Sequence, residues 1–168
     1  AKVSLNRGWN LLNSQGELLF SKEFDFIYGF HGGFFKVEVN KKINYLDREG
    51  NIISKQWFDS GADFQEGFAT VVVVDHKQGV LNKEGTLVAK GFDYVGFWHN
   101  GFAEVRMNDG TNPTNNKFNF INTEGKLISD TWFNWVGYFQ EGYAPVERDF
   151  RGHKKRNFID EKGQLLLD

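Results

Sequence analysis

The chain has 168 residues, a formal net charge of −2 at pH 7 and a hydrophobic content of 40%. This charge is too small for the broad basic field that attracts nucleic acid, and the sequence lacks the apolar run of about 18 residues that a membrane span needs. It contains no cysteine, which excludes disulfides and cysteine-bound metals. The N-terminal residues lack an apolar signal-peptide core, so we expect neither a signal peptide nor membrane insertion.

The composition of 18 phenylalanines and 19 glycines against 2 prolines predicts short strands joined by tight turns. Helical periodicity is absent. The first predicted element is a strand at Ala1-Lys2-Val3, and two motifs then alternate along the rest of the chain.

The short motif reads x-[NG]-ϕ-ϕ-[ND]-x-x-G, where ϕ is apolar. Its copies are WNLLNSQG (9–16), INYLDREG (43–50), QGVLNKEG (78–85), FNFINTEG (118–125) and RNFIDEKG (156–163). The long motif reads F-[DN]-x(4)-[FW]-x-x-G-[FY]-x-x-V. Its copies are FDFIYGFHGGFFKV (24–37), FDSGADFQEGFATV (58–71), FDYVGFWHNGFAEV (92–105) and FNWVGYFQEGYAPV (133–146). Such regular recurrence predicts a repeat protein.

The motifs also predict local structure. Asx-x-x-Gly is typical of a hairpin turn in which the Asx side chain caps the turn and Gly takes a positive φ. We expect one strand before this turn, a second after it, and a third after the glycine of the long motif. The Asn at the second position of the short motif is expected to tolerate a left-handed or bulged backbone. Each unit is then a three-stranded antiparallel meander that needs its neighbours to complete a core.

The predicted fold class is therefore all-β, with five repeats of 34–40 residues forming a single domain over residues 1–168. Ala1-Lys2-Val3 matches the third strand of a unit, and the fifth unit, 155–168, has only two strands. If residues 1–6 complete that unit, the repeats close into a small five-bladed propeller-like ring, which we favour. The alternative is an open, curved β-repeat array.

The two motifs together resemble the bacterial WG-containing repeat, also called the KWG repeat. The resemblance covers essentially the whole chain, and its best matches are KQGVLNKEGTLV (77–88), FDYV (92–95), FQEGFATV (64–71) and FQEGYAPV (139–146). The namesake Trp-Gly dipeptide is missing, because Trp9 alone keeps the Trp and Gly79 alone keeps the Gly. The resemblance implies a bacterial, non-catalytic array, often part of a larger or exported protein. It brings no cofactor and no catalytic residues, and it favours an exported or cell-envelope location.

Four polar residues occupy one position, two residues before the glycine of the long motif: His31, Gln65, His99 and Gln140. In a ring or an arc they would line one surface. Histidine is a common metal ligand, but no carboxylate recurs at matching positions. We therefore expect a polar lining that hydrogen-bonds, and no metal site.

Carboxylates also recur, as Asp25, Asp59 and Asp93 after the first Phe of the long motif and as Glu66 and Glu141 before its Gly. A catalytic acid and base need unlike environments, whereas these side chains recur in like ones. We expect them to cap turns, and we predict no catalytic residue.

The aromatic residues divide into constant and variable positions. The first Phe of the long motif never changes, which is typical of a core position. The position two residues later reads Phe26, Ser60, Tyr94 and Trp135. Variation in a regular lattice favours a binding face, because Tyr and Trp stack on sugars and anchor interfaces; a partly exposed packing position is the alternative. Trp98 is a further candidate.

Two longer connections are predicted as loops, at 108–116 and 148–156. The first is polar and rich in Asn. The second carries Arg148, Arg151, Lys154, Lys155 and Arg156. Arg151 and Lys154 are candidate contacts for an anionic partner, and a solvated turn is the alternative.

We interpret the chain as a non-catalytic binding module that presents a repeat-built face to a protein or glycan partner. The first alternative is a carbohydrate- or cell-wall-binding, lectin-like domain, suggested by Tyr94, Trp98, Trp135 and the Asn-rich segment. The second, weaker alternative is a small β-propeller glycoside hydrolase.

Overall fold

The computed structural model of the chain describes residues 1–5, 8–108, 110, 112 and 115–167. Apart from a 3-10 turn at Val74–His76, its regular secondary structure in these residues is β-strand, which confirms the all-β class. The strands are β1 (Lys2–Ser4), β2 (Trp9–Leu11), β3 (Phe26–His31), β4 (Phe34–Val39), β5 (Lys42–Leu46), β6 (Ser60–Gly61), β7 (Phe68–Val72), β8 (Gln78–Asn82), β9 (Leu87–Phe92), β10 (Tyr94–His99), β11 (Phe102–Asn108), β12 (Asn116–Asn122), β13 (Trp135–Val136), β14 (Tyr143–Phe150) and β15 (His153–Asp160).

The strands form small sheets in chain order: β1-β2, β3-β4-β5, β6-β7-β8-β9, β10-β11-β12 and β13-β14-β15. The chain divides into two compact units. The first comprises Ala1–Asp75 and Leu81–Leu87, and the second comprises His76–Val80 and Val88–Asp168. The division runs through β8 and β9. The prediction of a single domain over residues 1–168 stays a prediction.

Three-stranded antiparallel sheets are confirmed, but the segments that form them differ from the prediction. The outer strand is the first half of the long motif, as in β10, which was not predicted to be a strand. The middle strand follows the motif's glycine, and the third strand is the short motif, as in β11 and β12. The predicted strand after the Asx turn is reduced in most repeats to a single bridge, such as Leu46↔Ile52 or Ile121↔Leu127.

A buried asparagine explains why this return segment needs so little strand pairing. The Asn119 side-chain amide donates to the carbonyl oxygens of Ser129 at 2.7 Å and Thr131 at 3.2 Å, while its Oδ1 accepts from the Phe120 amide at 2.8 Å. Asn44 makes the same three contacts, and Asn10 makes equivalent ones. The expectation of a left-handed or bulged backbone at this position is therefore wrong. These Asn lie within regular strands, and their side chains replace a ladder of backbone hydrogen bonds.

Both kinds of predicted turn are present. In the Asx-x-x-Gly turns the Asx Oδ1 accepts backbone N–H groups two and four residues later, as Asp160 does from Lys162 at 2.9 Å and Gln164 at 2.8 Å. In the long motif, Glu66 and Gly67 have φ values of 50° and 86°, the pattern of a type I′ hairpin turn between an outer and a middle strand.

One aromatic contact recurs between consecutive repeats. We call the aromatic at the [FW] position of the long motif the inserted aromatic. In the first unit Phe64 is inserted between Phe34 and Tyr45 of the preceding repeat, with ring centroids 4.2 Å and 5.0 Å apart. In the second unit Phe139 is inserted between Phe102 and Phe120, at 4.3 Å and 4.9 Å. We call the receiving pair of rings, one after the long motif's Gly and one after the buried Asn, the aromatic socket.

Two clusters of the hydrophobic core contain these insertions, and a further cluster is formed by Phe20, Phe24, Ile27, Val37 and Leu46 without one. In the first unit, Phe64 belongs to a cluster with Ile43, Phe58 and Val71. In the second unit, Phe139 lies among Phe120, Phe133, Val136, Ala144, Val146 and Ile159. The constant Phe of the long motif is buried in all four copies, as predicted.

The N-terminal strand β1 pairs with β2 in the register Lys2↔Leu11, Val3↔Asn10 and Ser4↔Trp9. This matches the pairing of Val37 with Asn44 between β4 and β5. The start of the chain is thus the middle strand of a repeat, as its Ala-x-Val pattern predicted. That residues 1–6 complete the fifth unit, and that the array closes into a ring, stay predictions.

The glycine of the Asx-x-x-Gly turn yields a matched pair of substitutions. Gly16 and Gly163 share a φ of 81°, but a Cβ atom on Gly163 would overlap the carbonyl oxygen of Ile128, whereas one on Gly16 would meet open space. We expect Gly16→Ala to lower the free energy of unfolding by about 1–2 kcal/mol, the cost of a left-handed backbone. Gly163→Ala should cost about 3 kcal/mol or more, because overpacking is added. Urea unfolding measures both, and equal losses would contradict the close approach of the backbones.

The buried asparagine is tested by comparing two copies. Asn119 is fully buried, and Asn119→Ala removes the donor to the partly buried carbonyl groups of Ser129 and Thr131 and the acceptor of the Phe120 amide, so we expect a loss of about 2–4 kcal/mol. Asn157 binds Leu167 in the same way but is partly exposed, so water can replace its amide and Asn157→Ala should cost about 1 kcal/mol. The same unfolding measurement serves, and a negligible loss for Asn119→Ala would show that the side chain does not hold the return segment.

Candidate binding site

The variable position of the long motif begins each outer strand. Phe26, Ser60, Tyr94 and Trp135 are the first residues of β3, β6, β10 and β13. The three aromatic residues are 37–49% exposed, whereas a following residue such as Val136 is buried, because neighbours in a strand face opposite sides of the sheet. These three rings are therefore accessible to a ligand, as a binding position must be. That they bind one stays a prediction.

Each of these aromatic residues lies opposite a charged residue of the middle strand: Phe26↔Glu38, Tyr94↔Arg106 and Trp135↔Glu147. The Arg106 guanidinium carbon is 5.2 Å from the Tyr94 ring centroid, and the Lys2 ammonium is 3.9 Å from that of Phe26. Both are cation–π distances. The starts of β3, β10 and β13 therefore combine a half-exposed ring with a charge on the opposite strand, whereas β6 begins with Ser60 opposite Val72.

A groove of about 950 Å³ opens beside Trp135 on the sheet β13-β14-β15. We call it the Trp135 groove. Its lining is apolar on one side and charged on the other, and it includes Trp135, Pro145, Glu147, Lys154, Arg156 and Phe158. The register Glu147↔Arg156 and Pro145↔Phe158 places these four side chains on the face that carries Trp135.

Glu147 is the centre of the charged side. It is 6% exposed, and its two carboxylate oxygens take the Lys154 ammonium at 3.1 Å and the Arg156 Nε–H at 3.2 Å. The hydrogen bond from Lys154, followed by that from Arg156, holds the pKa of Glu147 below its ordinary value. The groove therefore presents an ionised carboxylate that is already paired, with two cations on its exposed rim.

The segment 148–156 is not the loop predicted from the sequence. Strands β14 and β15 continue their ladder through it to the pair Phe150↔His153, and only Arg151 and Gly152 form the turn, both with positive φ. The extension arises because alternating side chains pair across the two strands. Arg151 and Lys155 contact the Phe150 ring at 5.3 Å and 4.7 Å, while Lys154 reaches Glu147.

The basic side chains of this segment therefore lie in two different places. Lys154 lines the Trp135 groove, whereas Arg151 sits at the hairpin tip. In the Asn-rich segment 108–116, Asn108 and Asn116 close the β11-β12 ladder. Asp109, Thr111, Pro113 and Thr114 lie outside the described residues.

The four predicted polar residues lie at the tips of the hairpins between outer and middle strands. In the first unit His31 Nε2 is 3.8 Å from Asp63 Oδ2. In the second unit the His99 ring is 6.2 Å from that of Tyr138, which occupies the position equivalent to Asp63. Gln65 and Gln140 form the two-way backbone hydrogen bonds that close their turns. All four residues are exposed, and among the described residues no three His, Asp or Glu side chains are arranged to hold a metal ion.

Trp98 is placed differently from the expectation. It is only 3% exposed, so it offers no surface for stacking. The reason is its position in the long motif, where it is the equivalent of the inserted aromatics Phe64 and Phe139. Trp98 and Trp135 are thus the same type of residue, but Trp98 is buried in the core and Trp135, at the variable position, is half exposed.

The recurrent aspartates cap turns, as predicted. Asp25 accepts the Asn40 N–H at 2.6 Å, and Asp93 accepts the Asn108 N–H at 2.8 Å. Asp93 also pairs with Lys77 at 2.5 Å, which holds the pKa of Asp93 below its ordinary value. Asp59 pairs in the same way with Lys42. The Lys that precedes the short motif is therefore an ion-pair partner for the Asp of the next long motif.

Sequence reasoning missed Glu147, Arg156 and Phe158 as parts of the site. For Glu147, the sequence did contain a signal. The residue after the last Val of the long motif is Glu38, Val72, Arg106 or Glu147, which is charged in three of four copies. Its partner across the sheet could be named only once the first half of the motif was known to be a strand.

Comparison with known families finds the WG containing repeat, whose model matches residues 9–42, 79–110 and 120–149, more than half of the chain. No curated protein matches significantly.

Solved structures that resemble the chain share little sequence with it. BamB from Moraxella catarrhalis is 10% identical with a TM-score of 0.41, over 99% of this chain and 62% of BamB. A eukaryotic initiation factor is 10% identical with a TM-score of 0.47, over 99% and 51%. The WD40 beta propeller domain of Doa1 is 11% identical with a TM-score of 0.36, over 97% and 59%. The chain thus spans between about half and two thirds of the length of these structures. In its described part there is no helix of the length and apolar character that a membrane crossing needs.

The charged side of the groove predicts a pH dependence. A carboxylate whose folded pKa is lowered contributes stability that is present above its unfolded pKa, near 4.3, and is lost as the pH falls through the folded value. We expect Glu147→Gln to lower the melting temperature relative to the parent at about pH 7, and this difference to shrink progressively as the pH falls below about 4.3. About 1 M NaCl should also reduce it, because the two cations are exposed. A difference that is independent of both pH and salt would contradict the ion-pair assignment.

Proposed function

Because the chain belongs to the WG-containing repeat family, we propose that it is a non-catalytic binding module whose partner is a protein held at the Trp135 groove. One observation carries this proposal. Trp135 is 49% exposed although it lies on a strand that is paired with β14. An indole ring held in place and half open to solvent binds with little loss of conformational entropy.

The composition of the groove supports a protein partner. Trp and Arg are enriched among the residues that dominate protein interfaces, and such residues lie in apolar pockets surrounded by polar groups. Here Trp135 adjoins Pro145 and Phe158 on one side, and Glu147 with its two cations forms the polar rim.

The recurrent carboxylates support the absence of catalysis. Asp25, Asp59 and Asp93 are used in turn caps or ion pairs, and Glu147 has both oxygens engaged. A general acid needs a raised pKa and a free approach to substrate, and Glu147 has a lowered one.

A glycan is the second candidate partner, and the same indole favours it. Sugar rings stack on an exposed Trp, and their hydroxyl groups bind charged and amide side chains. Asn115 and Asn116 lie in the lining of the groove together with Glu147 and Lys154.

Display of short random peptides, selected on the chain and counter-selected on its Trp135→Ala variant, tests the proposal. We expect enriched peptides that bind the parent at least about tenfold more tightly than Trp135→Ala by titration calorimetry, as for a hot-spot residue. Phe97→Ala is the matched control, because Phe97 is a more exposed aromatic that does not line the groove; it should bind like the parent.

Peptides that bind the parent and Trp135→Ala equally, or a failure to enrich any peptide, would overturn the protein proposal. A glycan array run on the same two proteins distinguishes the second candidate. Glycans that lose binding in Trp135→Ala, without any Trp135-dependent peptide, would assign the groove to carbohydrate.

A further inference from the structure

The aromatic socket occurs three times in the described sheets, in one register. Its two rings lie on the same face of the middle and third strands: Phe34 and Tyr45, Phe102 and Phe120, Tyr143 and Phe158. In each sheet the second ring is opposite the residue two positions after the first, as Lys36↔Tyr45, Glu104↔Phe120 and Pro145↔Phe158 show. The sheet β13-β14-β15 therefore has the same receiving geometry as the other two.

This third socket differs from the others in exposure. Tyr45 is 1% exposed and Phe120 is 3% exposed, because Phe64 and Phe139 cover them. Phe158, at the same position, is 48% exposed, and Tyr143 is 44% exposed. The two rings border a groove of about 940 Å³ that also includes Pro145 and Leu166. We call this surface the terminal socket.

The same face also presents the carbonyl group that receives a turn glycine in the other contacts between repeats. The turn glycines Gly85, Gly125 and Gly163 each lie so close to a carbonyl of the preceding repeat that a Cβ atom would overlap it, and these carbonyls belong to Ile53, Val88 and Ile128. Leu166 holds the equivalent position, three residues after Gly163. Its amide donates to the Phe158 carbonyl at 2.9 Å, as that of Ile128 does to Phe120 at 3.0 Å, and Leu166 is exposed.

We propose that the terminal socket docks a further repeat of the same family, in register as the next repeat, with the inserted aromatic of its long motif between Tyr143 and Phe158. Two features that the contacts of Phe64 and Phe139 use, the ring pair and the carbonyl at the Leu166 position, are both in place on one exposed face. This inference goes beyond the proposed function, since it concerns a different partner, although Pro145 and Phe158 line both surfaces.

A second copy of this chain fits the socket less well. Its inserted aromatics Phe64 and Phe139 are buried within its own core. Phe30, at the same motif position, is 39% exposed, but its ring is packed on Phe35 of its own sheet at 4.5 Å.

Docking of a further repeat leaves the ring at the Trp135 position exposed to solvent. Phe26 and Tyr94 hold the place of Trp135 in sheets whose sockets are already filled, and both remain exposed. Because Pro145 and Phe158 line both surfaces, a docked repeat covers the apolar side of the Trp135 groove and leaves the Trp135 ring with its charged side.

An extended chain tests the proposal. A second copy of residues 131–167 is joined directly after Asp168, which keeps the register because Asp168 follows Gly163 by the same spacing as Asp130 follows Gly125. We expect amide hydrogen exchange in β14 and β15 to slow by about tenfold or more relative to the parent, and the melting temperature to rise, since a covered sheet opens less often.

Two variants of the copied segment make the test specific. Phe139→Ser in the copy removes only the inserted ring and should abolish the slowing of exchange in β14 and β15. Phe150→Ser in the copy is the matched control, because Phe150 is an exposed Phe at a hairpin end and its loss should leave the slowing intact.

Unchanged exchange in β14 and β15 of the extended chain would overturn the proposal, whether or not the added segment folds. Equal slowing with and without Phe139→Ser in the copy would also overturn it. If the parent chain instead forms concentration-dependent dimers that Phe158→Ser abolishes, the socket is an interface between two copies.

Discussion

The insertion of one aromatic ring into the preceding repeat is the contact on which the rest of the structure depends. A three-stranded sheet of this size cannot bury either of its faces alone. Phe64 and Phe139 supply the missing cover, because each fills the socket made by two rings of the repeat before it. Once the ring is inserted, the turn of the following short motif is brought against a carbonyl of the preceding repeat, which only glycine permits at Gly85, Gly125 and Gly163. Packing between repeats thus explains two features of the motif that the isolated hairpin does not require.

Most recurring polar side chains serve this same architecture. The buried Asn fastens the return segment, the turn Asx caps the hairpin, and the aspartates of the long motif cap the next turn or pair with Lys42 and Lys77. A side chain with its hydrogen bonds committed in this way is a poor acid, base or metal ligand, because its free lone pairs and protons are few. The chemistry that is left over lies where the repeats differ from one another, at the starts of the outer strands.

The sequence carries the repeat length, the turns and the constant core Phe, because each depends on local backbone geometry or on a period that is visible in one dimension. It does not carry the pairing of the strands. The first half of the long motif reads as a connection since a β-bulge interrupts its alternation, between Ile27 and Gly29 in β3 and between Val95 and Trp98 in β10. Missing that strand hid the partner of Trp135, and with it Glu147. The contrast between Trp98 and Trp135 could be anticipated only in part, because Trp98 shares its motif position with three phenylalanines, of which Phe64 and Phe139 are buried but Phe30 is 39% exposed.

Separation of the core positions from the variable positions has a consequence for how such an array can change. The inserted aromatic and its socket face the neighbouring repeat, whereas Phe26, Tyr94 and Trp135 stay half exposed at the edge of the sheet whether or not the adjoining socket is filled. A substitution at the variable position therefore alters a surface without disturbing the contact between repeats, and Ser60 shows that even the loss of the ring is accommodated there. The charge opposite it also changes, from Glu38 to Arg106 to Glu147, and these side chains find different partners, as Glu147 does in Lys154 and Arg156. In this fold, the exposed surface can change one repeat at a time, while stability is held by the positions that do not vary.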